Sequence, residues 1–122
     1  MEPVRELWPQ DEEKLRAAFA RGPLGDTVEK LAQRVISGES TLWRHEGLLI
    51  ETCVQDHPKG RELHISLLVG EGFSIPWFTE WTETQARLAG CDFIGMMSHR
   101  KAWSRLLKDI AEPVATYWVR KL

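Results

Sequence analysis

The hydrophobic pattern of this chain first changes after Gly38, and this change constrains the fold more than any other feature of the sequence. Before Gly38, apolar residues recur with the period of an α-helix. After Gly38, apolar and polar residues alternate, as they do in strands with one buried face. A chain that begins with helices and continues with strands is predicted to belong to the α+β class, in which helices cover a sheet.

Two helices are predicted in the first third of the chain. The segment Pro9–Arg21 has Asp11 as its expected N-cap and acidic residues in its first turn, and a Gly-Pro-Leu-Gly run ends it. The second predicted helix starts at Asp26 and ends at Ser37. Its apolar residues follow helical spacing: Val28, Leu31, Ala32, Val35 and Ile36.

Three strands are predicted in the centre of the chain. Thr41–His45 and Leu48–Gln55 are joined by a tight Glu-Gly turn, which is typical of a hairpin. A turn is expected over 56–60, where polar residues, Pro and Gly cluster, and the third strand follows over Glu62–Val69. The pattern therefore predicts an antiparallel meander.

The rest of the chain alternates between helices and strands. A helix is predicted from Ser74 to Ala89, then a short strand over Cys91–Met97 that we expect to be buried on both faces. A helix over Lys101–Ile110 and a closing strand over Val114–Val119 follow. No repeat or linker interrupts this order, so we expect a single domain over 1–122 with a mixed sheet.

Charge and cysteine content exclude several function classes. Sixteen Lys and Arg against eighteen Asp and Glu give a net charge of −2, which argues against nucleic acid or an anionic membrane as partner. Cys53 and Cys91 are isolated thiols without C-x-x-C spacing, and no apolar stretch is long enough to cross a bilayer, so a cytoplasmic location is expected. The dispersed histidines lack metal-ligand spacing, and no metal site is expected.

The order of elements from about 41 to 122 resembles the GCN5-related N-acetyltransferase (GNAT) fold. The two leading helices would correspond to the first helical pair of that family, and residues 2–7 would supply its first strand. The compact chain also resembles the small, reduced members encoded by tailed phages, for which the host cytoplasm or the virion is the expected location.

The resemblance implies that acetyl-CoA is held by its pyrophosphate at the start of the helix after the third meander strand. The residues at this point are Gly70, Glu71, Gly72, Phe73 and Ser74. The sequence departs from the family's loop pattern: the usual Arg or Gln is missing, a glutamate brings negative charge near the phosphates, and Pro76 removes an amide donor. A plain strand-to-helix turn or a site for another ligand are the alternatives.

Acyl transfer also needs groups that handle protons, because the amine must lose a proton and the leaving thiolate must gain one. Glu51 and His64 lie on the two central strands and are the candidate bases, with solvent-facing or structural roles as the alternatives. The tyrosine that many family members use as the acid is replaced here by Leu106, and Tyr117 lies in the predicted terminal strand. Other candidate acids are Ser98, Ser104 and Cys91.

Six tryptophans, beside a single tyrosine, offer a candidate surface for a protein partner. Trp77 and Trp81 start the helix beside the glycine turn, with Arg100 nearby in the expected fold. Tryptophan and arginine dominate interface hot spots, although core packing is the default role of a tryptophan. The predicted terminal strand offers an edge through which two copies of the chain could pair as a homodimer.

Two functions follow from these observations. The first is a GNAT-like protein without catalytic activity that binds a protein partner, in phage particle assembly or on a host protein. The second is an acetyl-CoA-dependent N-acyltransferase that acts on an amine. The altered loop and the missing helix tyrosine favour the first function, whereas the retained glycine pair at 70 and 72 favours the second.

Overall fold

The structure is a computed structural model and describes residues 2–22, 25–70, 74–97, 105, 107–114 and 118–122. Two helices come first, then a meander, a third helix and a fourth strand. The elements are α1 (Pro9–Arg21), α2 (Val28–Ile36), β1 (Thr41–His45), β2 (Leu48–His57), β3 (Gly60–Val69), α3 (Ile75–Leu88) and β4 (Phe93–Met96). The predicted α+β class is confirmed. Within the described ranges, no helix is long and apolar enough to cross a membrane.

The described part of the sheet has the strand order β1-β2-β3-β4. The first three strands are antiparallel, and β4 is parallel to β3, so the predicted mixed sheet is confirmed. A β-bulge interrupts the β2–β3 pairing, because Glu51 pairs with Leu67 and the next residue, Thr52, pairs with Ile65. Ser66 is thus the extra residue of β3, at which the strand bends.

The turn between β2 and β3 is tighter than the sequence indicated, whereas the turn between β1 and β2 has the two residues predicted, Glu46 and Gly47. Strands β2 and β3 extend to His57 and Gly60, which leaves two residues for the turn instead of the five predicted. At the other end, Gly70 has a φ of +138° and lies against the β1–β2 turn. A Cβ atom at Gly70 would lie 2.6 Å from the carbonyl oxygen of Gly47, so only glycine fits there.

Buried apolar side chains line both faces of the sheet. Helices α1 and α2 cover one face, which we call the α1/α2 face, and α3 covers the other, the α3 face. The core on the α1/α2 face consists of Val4, Leu15, Val28, Leu31, Leu42 and Leu49. The core on the α3 face consists of Leu48, Ile50, Ile65, Phe78 and Leu107. Alternation along each strand sends successive residues to opposite faces.

Helix α1 spans Pro9–Arg21 as predicted, but Asp11 is not its N-cap. The helix starts at Pro9, whose missing N–H suits a first helical position, and Trp8 takes the N-cap position. The Asp11 carboxylate is buried, accepts a hydrogen bond from the Trp8 N–H at 3.0 Å and pairs with Arg44 on β1. The Arg44 guanidinium also lies 3.7 Å from the centre of the Trp8 ring. This group of contacts attaches the start of α1 to the sheet.

Helix α2 is attached to the sheet by one arginine. The Arg34 guanidinium donates two hydrogen bonds to Glu51, of 2.7 and 3.0 Å, and two to Asp26, of 3.1 and 2.8 Å. The Ser40 hydroxyl donates a third bond to Glu51, at 2.6 Å. The bonds to Glu51 and Asp26 raise the pKa of Arg34 above its usual range, so the guanidinium stays charged.

Two predictions about exposure and pairing are wrong. Strand β4 is not buried on both faces, because it lies at an edge of the described sheet, and Phe93 and Ile94 are 43% and 38% exposed. Residues 2–7 form no strand of several residues; Pro3 makes an isolated bridge to Trp43 and Val4 donates one hydrogen bond to Leu42.

The end of the chain is described in part. Of the predicted helix over 101–110, Arg105 and Leu107 are helical and 108–110 form a turn, and the other positions lie outside the described residues. Of the predicted closing strand, Val114, Trp118 and Val119 are described and are not in a strand, whereas 115–117 lie outside the described residues.

We expect Glu51→Gln to lower the free energy of unfolding by about 2 kcal/mol, because it weakens the charged hydrogen bonds that Arg34 makes to the sheet while the bonds to Asp26 remain. Chemical denaturation measures the change. Arg16→Met is the matched control, because the Arg16–Glu29 pair is exposed on both sides and contributes little. Equal, small effects of the two substitutions would contradict a docking role for Glu51.

We also expect the stability of the fold to depend on the charge of Asp26. Burial raises the pKa of Asp26, but hydrogen bonds from the Arg34 side chain and the Thr27 N–H lower it. The charges of Arg34 and Lys30 lower it further, so the pKa lies below the usual value of 3.8. The carboxylate therefore stabilises the fold near neutral pH, and this contribution is lost as the pH falls through the lowered pKa.

The test compares denaturation curves of the wild type and Asp26→Asn at neutral and acidic pH. The wild type should lose more stability on acidification than the variant. Parallel losses in the two proteins would show that Asp26 contributes nothing to the pH dependence.

Candidate functional site

The two predicted bases, Glu51 and His64, lie on the α1/α2 face of the sheet. Glu51 is 1% exposed and is surrounded by Arg34 and Ser40, so its contacts are those of a residue that docks α2. His64 lies on β3, opposite Cys53 of β2, and is half-buried. The structure thus gives the two candidates different surroundings.

His64 belongs to a cluster that sequence reasoning missed. Nδ1 of His64 lies 2.8 Å from Oε2 of Glu62, and Nε2 of His57 lies 2.6 Å from Oε1 of the same carboxylate. Glu62 is 7% exposed. We call these three residues the His57–Glu62–His64 cluster. A buried carboxylate between two imidazoles is the arrangement in which perturbed titration and function often coincide.

The carboxylate of the cluster stays ionised near neutral pH. Burial raises the pKa of Glu62, but the hydrogen bonds from His64 and His57, and the charges of these imidazoles when protonated, outweigh burial and hold the pKa below its usual value of 4.5. An ionised carboxylate accepts the Nδ1–H of His64. This tautomer leaves Nε2 of His64 without a proton and able to accept one.

Strand β4 forms the wall of the cluster. Glu62 lies opposite Phe93 and His64 opposite Gly95 in the parallel pairing. A Cβ atom at Gly95 would lie 1.9 Å from Oε2 of Glu62, so the glycine provides the space that the carboxylate occupies. The Phe93 ring stacks on His57 with 5.9 Å between ring centres. The cluster is therefore closed on the β4 side and most open at His57, whose side chain is 41% exposed.

Strands β3 and β4 pair over a short length only. The pairing runs from Glu62 to Ile65 on β3, and β3 continues past the Ser66 bulge to Val69 without a partner on β4. The cluster lies at the paired end, with His64 two residues before Ser66, or about 7 Å along the strand. Among the described residues, this stretch of β3 pairs with β2 alone.

The predicted cofactor loop is described only at its two ends. Gly70 is explained by its close approach to Gly47, and Ser74 caps α3 by accepting a hydrogen bond of 3.2 Å from the Trp77 N–H. Glu71, Gly72 and Phe73 lie outside the described residues. The first turn of α3 offers few amides to an anion, because Pro76 has none and that of Trp77 is bonded to Ser74.

The predicted partner residues Trp77 and Trp81 are half-buried members of an aromatic cluster on the α3 face. Trp77 stacks on His45 with 3.9 Å between ring centres and on Trp81 with 6.0 Å. Trp43 meets Trp81 edge-on at 5.4 Å. Both α3 tryptophans pack against the core of that face. Arg100, the third predicted partner residue, lies outside the described residues.

Other candidate sites are less well formed. In the part of the chain that the structure describes, no group of three or more His, Cys, Asp or Glu side chains has a geometry that could hold a metal ion. A groove of about 660 Å³ is lined by Glu2, Pro3, Val4, Arg5 and Arg44. It is an open groove beside the N-terminal segment, and none of the predicted site residues lines it.

Comparison with known proteins gives matches in structure only. No protein family and no curated protein matches the sequence. A crystal structure of a probable acetyltransferase covers 91% of this chain and 85% of its own, with a TM-score of 0.63 and 10% identity. A transcriptional regulator from Bacillus halodurans C-125 covers 97% of both chains, with a TM-score of 0.58 and 14% identity.

A third solved structure, an acetyltransferase from Trypanosoma brucei, covers 91% of this chain and 94% of its own, with a TM-score of 0.53 and 16% identity. At identities this low, structural likeness shows the fold alone. The resemblance to phage-encoded members is not tested by these matches and stays a prediction. The chain has a GNAT-like fold, as its order of elements predicted.

Proposed function

We propose that this protein is an acyl-CoA-dependent N-acyltransferase in which His64 removes the proton from the amine. The observation that carries the proposal is the His57–Glu62–His64 cluster, which lies where β3 and β4 stop pairing. A protonated amine is not a nucleophile, and an imidazole gains and loses a proton near neutral pH. Glu62 orients the His64 ring and stabilises the imidazolium that forms.

The unpaired stretch of β3 suits an extended acyl donor. Acetyl-CoA, when bound, supplies the acyl group as a thioester. We propose that backbone groups of β3 between Leu67 and Gly70 bind its pantetheine arm and that Gly70, Ser74 and the residues between them meet its pyrophosphate. The reacting carbon would then lie near the bulge, within reach of an amine that His64 deprotonates.

Glu51, the other predicted base, is better explained by its contacts with Arg34 and Ser40. The Glu51 carboxylate is buried and already accepts three hydrogen bonds, two from Arg34 and one from Ser40. Cys91 stays a candidate acid for the leaving thiolate. Burial raises the pKa of the Cys91 thiol, so the thiol carries its proton near neutral pH. The charge of Arg61 lowers this pKa, but the charges of Asp92, Asp56 and Glu62 raise it.

A second function, a binding module without catalytic activity, is favoured by the start of α3. Pro76 and the cap from Ser74 to Trp77 take two amides from the turn that would meet the pyrophosphate. In that case the half-buried Trp77 and Trp81 would be the anchors for a protein partner. A phage origin would make particle assembly or a host protein the setting, and the location the virion or the host cytoplasm.

Calorimetric titration with acetyl-CoA and with CoA distinguishes the two functions. The enzyme requires saturable binding, and the product CoA serves as a control for recognition without the acyl group. Absence of heat and of thermal stabilisation at millimolar acetyl-CoA would contradict the enzyme and leave the binding module.

We expect His64→Gln to lower the rate of acetyl transfer by roughly 10²–10⁴-fold, because glutamine cannot accept the amine proton. The affinity for acetyl-CoA should stay the same. Transfer to an amine is measured by release of the CoA thiol. His45→Gln is the matched control, because His45 belongs to the aromatic cluster on the α3 face. An unchanged rate in His64→Gln would refute this residue as the base.

We expect Gly95→Ala to leave the protein folded and to lower the rate roughly 100-fold, because the new methyl group displaces the flexible end of Glu62 and misplaces His64. Gly47→Ala is the matched control, since its added Cβ meets only the Lys14 ammonium, at 3.4 Å. A variant at Gly95 as active as the wild type would show that the position of Glu62 does not matter for transfer.

A further inference from the structure

Glu62 binds two imidazoles, although one would be enough to orient a base. Its two oxygens are divided between them, Oε1 to His57 and Oε2 to His64. The two rings differ in exposure, with the His57 side chain 41% exposed and that of His64 19% exposed. The inner ring faces the proposed reaction, and the outer ring faces solvent.

One carboxylate can fully compensate only one positive charge. With both rings neutral the cluster carries one negative charge, and the first added proton neutralises it. A second proton gives the cluster a net positive charge in a partly buried place, where charges on opposite sides of one carboxylate repel each other measurably. The two histidines therefore compete for the charge of one carboxylate.

We propose that His57 is a positioning residue that competes with His64 for the charge of Glu62 and so sets the pH at which His64 becomes able to accept a proton. The proposal rests on the proposed function for its catalytic consequence only. When His57 takes the first proton, His64 is kept neutral and ready to act at a lower pH than a lone imidazole–carboxylate pair would allow.

The other titratable groups around the cluster do not interfere with this competition. On β2, burial raises the pKa of the Cys53 thiol. A hydrogen bond from Gln55 lowers this pKa, but the charges of Glu51, Glu62 and Glu39 raise it. Before β4, burial likewise raises the pKa of the Cys91 thiol. Both thiols are neutral where imidazoles titrate.

The charged neighbours on β3 and β4 are already paired. Arg61 binds Asp56 at 2.9 Å through its side chain, and its backbone N–H donates to Asp92 at 2.9 Å. Phe93 and Gly95 complete the β4 wall without charge. Glu62 is thus the group through which the two histidines act on each other.

The test follows the histidine ring resonances of the free protein by NMR across the pH range of imidazole titration, without any ligand. In His57→Gln the competitor is gone, so the titration midpoint of His64 should rise by about one pH unit. In His57→Lys a cation persists beside Glu62 at every pH, and the midpoint should not rise. His45, which stacks on Trp77, is the internal control and should not move.

An unchanged His64 midpoint in His57→Gln would overturn the proposal, as would equal shifts in His57→Gln and His57→Lys. Activity provides a second readout, in which the acidic limb of the plot of rate against pH moves to higher pH in His57→Gln by the same amount as the His64 midpoint. If the rate at high pH falls while the acidic limb keeps its position, His57 has a merely structural role, and this result would also overturn the proposal.

The two proposals fail in distinguishable ways. Coupled titration without acetyl transfer would refute the enzyme and support the competition at Glu62. Acetyl transfer that depends on His64, with an unmoved midpoint in His57→Gln, would support the enzyme and refute the role of His57.

Discussion

Two buried carboxylates on one face of the sheet organise this protein, and their partners decide what each of them does. A buried carboxylate must be compensated, because its transfer from water costs several kcal/mol. Glu51 is compensated by Arg34, a cation at every accessible pH, and the result is a permanent link between α2 and the sheet. Glu62 is compensated by two imidazoles, whose charge depends on pH, and the result is a cluster that can exchange protons. The same residue type therefore serves stability in one place and chemistry in the other.

The position of the second carboxylate follows from the geometry of β3. Up to Ile65 this strand pairs on both sides, with β2 and with β4, and its side chains are held firmly enough for hydrogen bonds of 2.6 and 2.8 Å within the cluster. At Ser66 the bulge bends the strand, and the pairing with β4 ends. In the proposed function, the same strand provides the base and, directly after it, the backbone groups that bind the acyl donor.

Local patterns predicted the elements well, because they depend on residues close together in the chain. The alternation over the meander and the Ser-x-Pro start of α3 are such signals. The partners of the key carboxylates could not be predicted in this way. Arg34 meets Glu51 only after α2 folds over the sheet. His57 meets Glu62 because the β2–β3 turn has two residues, whereas the sequence predicted a turn of five. The exposure of Phe93 depends on the place of β4 in the sheet, which its own sequence does not encode.

The features that favour the proposed catalysis and those that oppose it concern different steps. An apolar side chain in place of Glu62 would avoid the desolvation cost, so the buried carboxylate favours the proposed proton transfer over a purely structural role. Pro76 and the Ser74 cap weaken a different interaction, the hold of α3 on a pyrophosphate. A weaker hold lowers the affinity for the acyl donor but leaves the proton acceptor at His64 intact. In the proposed enzyme, the donor would therefore bind mainly along β3, and the loss at α3 would raise the donor's KM without lowering the rate at saturation.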